Sequence, residues 1–377
     1  MLMEQRHLDY RDTVNFGSYY TPDRIVDLVY RLLARNVPNL DAYTIVDSSC
    51  GCGNFLRRPG SIGADIDPAA TRMAEGRVPD CFFYRHNSLS QVDRSRYGLA
   101  RDDKIVLIGN PPYNDATSLI RNRIKEYPFA MDADLRTRDL GMSFLLSYDK
   151  LAADLVCVLH PLSYLIKKAN FNRLASFREH YKLRDGLLIS SGEFSAASKA
   201  TRFPIIAALY GRDPDGMTYD FICDWRFKTG EGKSFRLNQF DKFGDYAAKY
   251  PNHKSLDANS AAAFFWTMRD INALKRTRTF IEREVYNSIR VPRAKLPYYC
   301  YADIFKDHIG KVPYYLGNCD VLIDHGEFEK IKGAFVAKSL AKYPFLRHLS
   351  PAEPIGGRHD AMIEDYFRNL LGEHYVA

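Results

Sequence analysis

The chain has 377 residues, with 53 Lys and Arg against 46 Asp and Glu and a formal net charge of +7. Apolar residues make up 46% and charged residues 26%, which is typical of folded globular domains and excludes a disordered or collagen-like chain. Because apolar runs stay well short of the roughly 18 residues of a membrane span and the first ten residues are polar, we expect a soluble, cytoplasmic protein without a membrane partner.

The cysteines and the net charge narrow the set of ligands and partners. Seven cysteines occur without a CxxC spacing, and Cys50 and Cys52 are too close together for a typical zinc pair, so we predict reduced thiols and no metal site. A net charge of +7 suits a polyanionic partner such as nucleic acid, and it is equally compatible with a basic surface that binds none.

The first half of the chain alternates helix and strand patterns. Thr21-Pro22-Asp23 has the form of a helix start, and apolar residues at helical spacing follow it up to Leu33. A second helical stretch covers 140–151. Short apolar runs that end in Gly, Pro, Asn or Asp predict strands at 44–46, 61–66, 81–84, 104–108 and 155–159. This alternation predicts an α/β fold with a doubly wound, mostly parallel sheet.

The pattern changes after the first half of the chain. An apolar run at 203–210 ends in a dense cluster of chain-breaking residues at 211–216. We therefore predict one domain over 1–210 and a second over 211–377. Beyond the cluster the alternation fades into segments rich in Tyr and Phe, whose order of elements the pattern does not predict.

A loop of small residues follows the first predicted strand. The run from Asp47 to Leu56 contains Gly51 and Gly53, which let the backbone pass close to a nucleotide-like ligand; a tight turn explains the two glycines equally well. The second strand ends in Asp65, where a carboxylate can accept both hydroxyls of a ribose. The missing third glycine disfavours nicotinamide cofactors. The connection 54–61 leaves room for about two turns of helix.

The fourth predicted strand runs into Asn110-Pro111-Pro112-Tyr113. The two prolines fix the backbone and remove two amide donors, which leaves carbonyl oxygens to face outward. The side-chain carbonyl of Asn110 beside a backbone carbonyl can accept both hydrogens of one planar amino group, and Tyr113 offers a flat face to the ring that carries it. The segment therefore suits group transfer to an exocyclic amine, with a rigid turn at a strand end as the alternative interpretation.

Three segments, in order, carry a resemblance to a known family. They are Phe16-Gly17-Ser18-Tyr19-Tyr20-Thr21-Pro22, Asp47-Ser48-Ser49-Cys50-Gly51-Cys52-Gly53-Asn54-Phe55-Leu56 and Asn110-Pro111-Pro112-Tyr113. With them the chain resembles the S-adenosylmethionine-dependent N6-adenine DNA methyltransferases of bacterial restriction-modification systems. The first segment is similar to the cofactor lid of the DNA enzymes, whereas the third is shared with methyltransferases of protein glutamine and RNA bases. The resemblance, which spans 14–210, implies a class I, Rossmann-like methyltransferase domain followed by an α+β target-recognition domain.

The resemblance implies S-adenosylmethionine as the cofactor and a role for each matched residue. The residues implied to surround the cofactor are Tyr20, Thr21, Pro22, Asp47, Ser49, Gly51, Gly53, Asp65, Ile66, Asn87 and Ser88. Those implied to hold the target amine and its base are Asn110, Pro111, Pro112 and Tyr113. An aromatic side chain is implied to stack on the other face of the base; Phe194 is the candidate and Phe203 the alternative. Asn87 stands where the family usually has an acid.

Double-stranded DNA is the partner that the resemblance implies, together with a cognate restriction endonuclease that acts on the same site. Extrusion of a paired base costs a few kcal/mol, so the second domain must stabilise the distorted duplex. Residues 275–295 carry a net charge of +5, which favours DNA contacts by Arg276, Arg278, Arg290 and Arg293; a solvated basic helix face is the alternative. Alternative functions are methylation of an RNA base or a protein glutamine, and DNA binding without catalysis.

Overall fold

The structure is a computed structural model and describes residues 21–113, 129–194, 202–349 and 357–377. The chain divides into two compact units, Met1–Ser234 and Phe235–Ala377. Across the described ranges, no helix is both long enough and apolar enough to cross a membrane.

A mixed sheet forms the centre of the first unit. Its strands are β1 Thr44–Asp47, β2 Ile62–Asp65, β3 Phe82–Arg85, β4 Ile105–Gly109, β5 Leu155–Pro161, β6 Tyr181–Ser190, β7 Pro204–Arg212 and β8 Phe227–Thr229, with β9 Ser234–Phe235 at the boundary of the units. Among the described residues the order is β3-β2-β1-β4-β5-β7-β6-β8-β9. Strands β1 to β5 pair in parallel, and β7 is antiparallel to both β5 and β6. This order, with β7 reversed, is that of the class I methyltransferase fold and confirms the predicted doubly wound, mostly parallel sheet.

The helices of the first unit include both predicted ones. They are α1 Asp23–Asn36, α2 Pro68–Arg77, α3 Leu140–Lys150, α4 Ser163–Ile166, α5 Lys168–Arg173, α6 Ala175–His180 and α7 Tyr219–Asp224. The apolar face of α1, from Ile25 to Leu33, packs into one cluster with buried side chains of β1, β4, β5 and β7. The carboxylate of Asp67 caps α2 and that of Asp139 caps α3. These capping residues fix the positions at which α2 and α3 begin.

The connection between β1 and β2 differs from the expectation. It consists of turns, so the room that 54–61 leaves for about two turns of helix is not filled by a helix. The side chain of Phe55 is buried, and Gly60, at φ +76°, turns the chain toward β2 before a helix can form. Helix α1 secures the connection instead, because the Tyr30 hydroxyl donates to the Phe55 carbonyl at 2.6 Å and Arg57 pairs with carboxylates of α1.

The first unit continues past residue 210, and the division predicted there falls inside β7. The cluster of chain-breaking residues at 211–216 leads from β7 into α7 and β8, and β8 pairs in parallel with β6. Gly216, at φ +60°, lies so close to α6 that an added Cβ would come within 2.3 Å of the Arg178 carbonyl oxygen. The cluster therefore marks a turn within the first unit, which ends at Ser234.

The second unit is α+β, as expected. Its strands are β10 Asp241–Lys242, β11 Ala261–Trp266, β12 Phe280–Ile281, β13 Ser288–Pro292 and β14 Leu322–Ile323, and its helices are α8 Ile271–Arg276, α9 Leu296–Asp307, α10 His325–Ala341 and α11 Gly357–Leu371. Strand β11 pairs antiparallel with β12 and β13, and β10 pairs antiparallel with β14. Aromatic side chains of α9, α10 and α11 pack around the fully buried Tyr301. These rings supply much of the core that the Tyr- and Phe-rich sequence indicates.

Candidate active site

The carboxyl ends of β1, β2 and β4 bring the predicted site residues together. Strand β1 pairs in parallel with β2 on one side and β4 on the other, so Asp47, Asp65 and Asn110 follow neighbouring strand ends. Ligands of open α/β sheets bind at this edge, because the loops that leave the strands form a crevice there. The sheet thus joins motifs that are far apart in the chain.

Asp65 anchors the glycine loop. One carboxylate oxygen accepts the backbone N–H of Gly51 at 2.8 Å, and the other accepts that of Asp67 at 2.9 Å. Gly51 and Gly53 have φ values of +50° and +78°, which favour glycine and shape the loop around the strand end. Beside this carboxylate the side chain of Ile66 is 52% exposed, an unusual exposure for a large apolar residue next to a strand. The pair thus presents a carboxylate and an apolar surface side by side.

Asp47 is the most deeply buried acid of the site. Its side chain is 2% exposed, and one oxygen accepts the backbone N–H of Ser49 at 3.1 Å. Burial, opposed by that hydrogen bond and reinforced by the nearby Asp65 carboxylate, raises the pKa of Asp47 to about 8. Burial also raises the pKa of Asp65. Burial thus disfavours the charged form of both carboxyl groups, and a cation bound near them would favour that form.

The raised pKa of Asp47 makes stability depend on pH. Between the unfolded value of 3.8 and about 8, the folded protein holds a proton that the unfolded chain releases, so this contribution is lost as the pH rises. We expect Asp47→Asn, which mimics the protonated acid, to gain stability over the wild type by up to about 1.4 kcal/mol per pH unit between pH 5 and 7. Urea unfolding at several pH values measures this difference. A difference that stays constant with pH would contradict the assignment.

Asn110 directly follows β4, and only the nitrogen end of its side-chain amide is hydrogen-bonded within the described residues. Its Nδ2 donates to the Oγ1 of Thr21 at 3.1 Å. Its Oδ1 is buried and has no hydrogen-bond partner among the described residues. Pro111 is buried, and Pro112 and Tyr113 are half-buried. A buried acceptor without a donor marks a position that a ligand group can satisfy.

Thr21 and Pro22 are the members of the predicted lid that the structure describes; Tyr20 lies outside the described residues. The carbonyl of Pro22 accepts the backbone N–H groups of Ile25 and Val26 in the first turn of α1. Thr21, which is 4% exposed, accepts the Nδ2 of Asn54 on its carbonyl at 3.0 Å, besides its hydroxyl contact with Asn110. Sequence reasoning gave Asn54 no role, because its position in the glycine loop indicates nothing about a contact with the lid.

The aromatic residues proposed to stack on a base differ in how far their side chains are buried. Phe194 is 3% exposed and belongs to the apolar cluster that α1 forms with the sheet, which leaves little of its ring open for stacking. Phe203 and Tyr113 are half-buried and pack against the same cluster. Gly141 at the start of α3 faces Tyr113 so closely that an added Cβ would lie 3.1 Å from the tyrosine Cβ. Burial therefore favours Phe203 over Phe194 as the second aromatic of the site.

Asn87 and Ser88 follow β3, at the edge of the sheet. The Asn87 amide donates to the carbonyl of Ala130, and its Oδ1 accepts the N–H of Leu89 at 2.9 Å. Ser88 is 6% exposed. The amide of Asn87 thus fixes the backbone of two neighbouring segments. This is a structural role, in addition to the cofactor contact that the resemblance implies.

The four arginines of the basic segment are not equivalent. Arg276, Arg278 and Arg293 are exposed. The side chain of Arg290 is 16% exposed, pairs with Glu284 at 2.7 Å and donates to two backbone carbonyls at 3.1 and 2.7 Å. The side chain of Arg290 therefore connects parts of the second unit, and the other three of these four arginines are exposed at its surface.

No protein-family model matches the chain, and a search of curated proteins finds no significant match. Among solved structures, the chain is similar to a type I restriction-modification system methyltransferase subunit from Streptococcus thermophilus, with a TM-score of 0.41, 16% identity, and coverage of 59% of this chain and 48% of that one. It is similar to a Pyrococcus horikoshii protein assigned as an RNA methyltransferase (TM-score 0.36, 13% identity, 53% and 88% coverage). It is also similar to magnesium protoporphyrin IX methyltransferase from Synechocystis (TM-score 0.31, 15% identity, 51% and 79% coverage). These similarities assign no substrate or cofactor, and the fold assignment rests on strand order and register.

Proposed function

We propose that the chain is an S-adenosylmethionine-dependent DNA methyltransferase that acts on N6 of an extruded adenine, as the modification enzyme of a restriction-modification system. The observation that carries the proposal is the buried Oδ1 of Asn110, which has no hydrogen-bond partner among the described residues. It follows β4 at the sheet edge that also holds Asp47 and Asp65. An exocyclic amine supplies the hydrogens that this acceptor lacks.

The residues at the strand ends fit the proposed cofactor. The oxygens of Asp65 accept the backbone N–H groups of Gly51 and Asp67, and a carboxylate has about four acceptor sites, so a ribose hydroxyl can still bind. The exposed Ile66 offers an apolar surface to an adenine ring. Asp47 is buried behind the glycine loop, where a cationic ligand would favour its ionised form. We therefore assign these residues and the two glycines to cofactor binding.

The residues after β4 suit methyl transfer to an amine. When bound, S-adenosylmethionine would supply an electrophilic methyl group: the S–CH3 bond would break as the N–CH3 bond forms, the sulfur would leave as a neutral thioether, and the amine would lose one proton to solvent. Oδ1 of Asn110 and the carbonyl of Pro111 would accept the two amine hydrogens, which takes the nitrogen lone pair out of conjugation with the ring. The same oxygens would stabilise the positive charge that builds on the amine during transfer. Tyr113 and Phe203 would enclose the base.

The second unit is proposed to hold the DNA. Arg276, Arg278 and Arg293 are exposed, and none is ion-paired within the described residues. Phosphate neutralisation by exposed arginines releases counterions, so the affinity it supplies falls with salt. Arg290, which the sequence analysis also assigned to DNA contacts, is left out of this proposal because its guanidinium is held by Glu284 and two carbonyls.

Replacing the three exposed arginines by glutamine is expected to weaken DNA binding and to lower the slope of log Kd against log salt by about 2 to 3. Fluorescence anisotropy with a labelled duplex measures both quantities. Lys330 and Lys332 are exposed cations of the same unit that pair with Glu327 and Glu329, so their glutamine variant is the matched control. An equal change of slope in both variants would show general charge loss instead of a local DNA contact.

A labelling assay tests the proposal against its alternatives. The protein is incubated with methyl-labelled S-adenosylmethionine and, in separate reactions, unmethylated duplex DNA, total RNA and a protein extract. We expect label in DNA, recovered as N6-methyladenine after digestion. Label in RNA or protein alone would replace the proposed substrate. Cofactor-free DNA binding, with no cofactor affinity by calorimetry, would indicate a non-catalytic DNA-binding protein.

A further inference from the structure

Thr21 lies between the two loops of the candidate site and contacts an asparagine of each. Its hydroxyl accepts the Nδ2 of Asn110 at 3.1 Å, and its carbonyl accepts the Nδ2 of Asn54 at 3.0 Å. Asn54 is fixed in turn, because its Oδ1 accepts a hydrogen bond from Arg77 of α2. One residue thus connects the glycine loop with the segment after β4.

The position of Thr21 is set by its surroundings. The residue is 4% exposed, so water does not compete for its hydroxyl. The next residue, Pro22, accepts the N–H groups of Ile25 and Val26 at 2.9 and 3.2 Å and thereby joins Thr21 to the start of α1. The hydroxyl is therefore presented to Asn110 from a rigid helix start.

An asparagine amide has an oxygen end and a nitrogen end, and only the oxygen can accept an amine hydrogen. With Nδ2 of Asn110 bound to Thr21, Oδ1 is directed to the other side, where it is buried and has no partner among the described residues. Among the described residues, the contact with the Thr21 hydroxyl is the hydrogen bond that fixes the plane of this amide. Without it, the amide can rotate and present its nitrogen.

We propose that Thr21 is a positioning residue, whose hydroxyl orients the Asn110 amide so that Oδ1 accepts the target amine. This inference rests on the proposed function for its substrate. This role differs from that of a cofactor lid, because loss of the Thr21 hydroxyl should lower the rate of methyl transfer and leave the affinity for the cofactor unchanged. The Asn54 contact adds a second hydrogen bond, from the glycine loop, that holds Thr21 in place.

The test compares Thr21→Val, which keeps the shape and removes the hydroxyl, with Thr21→Ser, which keeps the hydroxyl. We expect kcat for DNA methylation to fall about tenfold in Thr21→Val, the effect of one lost hydrogen bond, and to remain near wild type in Thr21→Ser. The dissociation constants of cofactor and DNA should stay within about threefold. Thr71→Val is the control for replacing a buried threonine, because the Thr71 hydroxyl contacts only carbonyls of its own helix start in the described residues. It should leave kcat unchanged.

Two kinetic results would overturn the inference: an unchanged kcat in Thr21→Val, or a loss of cofactor affinity well beyond about threefold in Thr21→Val that Thr21→Ser does not show. A readout that needs no activity is the side-chain amide signal of Asn110 in a ¹H–¹⁵N spectrum, assigned through its loss in Asn110→Asp. We expect that signal to move toward the value of an unbonded amide in Thr21→Val and to stay in Thr21→Ser; no movement would contradict the contact. An inactive wild type would refute the proposed function, and the spectrum would still decide the orientation of Asn110.

Discussion

Asn110→Ala is expected to reduce methyl transfer to DNA by about 10²–10³-fold, the effect of removing one preorganised hydrogen-bonding group from a transition state. The loss should appear in kcat, because Oδ1 lies buried after β4 and the proposed cofactor residues belong to β1, β2 and the glycine loop. Cofactor affinity should therefore survive. Single-turnover labelling measures the rate, and calorimetry measures cofactor binding.

Asn110→Asp is the matched control for this result. The carboxylate has the same shape and keeps an acceptor in place of Oδ1, and the Thr21 hydroxyl can donate to its second oxygen. We expect Asn110→Asp to retain substantially more activity than Asn110→Ala. Equal losses in the two variants would show that the acceptor oxygen is not what the reaction needs, and full activity in Asn110→Ala would remove Asn110 from the mechanism.

Gly109→Ala is expected to disturb both halves of the site. Gly109 ends β4 at φ +142°, and an added Cβ would lie 2.7 Å from the Oδ1 of Asp47. Either Asp47 or the segment that begins with Asn110 must move. We expect a stability loss of about 2 kcal/mol from backbone strain, and a fall in rate of about 100-fold from misplacement of the reacting groups. Urea unfolding and single-turnover labelling check the two effects.

Gly60→Ala separates backbone strain from crowding. Gly60 has φ +76°, but nothing lies within 4 Å of an added Cβ. We expect this variant to lose about 1 kcal/mol of stability, the cost of a left-handed conformation, with activity unchanged. If Gly109→Ala behaves like Gly60→Ala, the contact between Asp47 and the end of β4 has no effect on the reaction.

The parts of the fold that the sequence predicts are those with local signals. Five of the strands are short apolar runs that end in chain-breaking residues, and the helix after Thr21 starts with a pattern specific to helix ends. Strand β6 and the turns after Gly53 carry no such signal. The short connection to β2 forms turns because α1, from a different part of the chain, already packs against it.

The positions of the candidate site residues follow from the sequence more readily than their contacts do. Parallel pairing brings Asp47, Asp65 and Asn110 to one edge, as the motifs indicate. The burial of individual side chains is what the pattern does not predict: Phe194 packs in the core, and the guanidinium of Arg290 pairs with Glu284 within the second unit. Side-chain burial depends on residues distant in sequence, so a single motif does not predict it.

The most direct test of the central claim is sequencing for N6-methyladenine in the DNA of a bacterial host that lacks adenine methylation of its own. The host expresses either the wild-type chain or Asn110→Ala, at matched levels of soluble protein. The proposed function predicts N6-methyladenine at one recurring sequence motif with the wild type and its loss with Asn110→Ala. Unmodified adenine in cells that express the soluble wild type, or equal modification by both proteins, would contradict it.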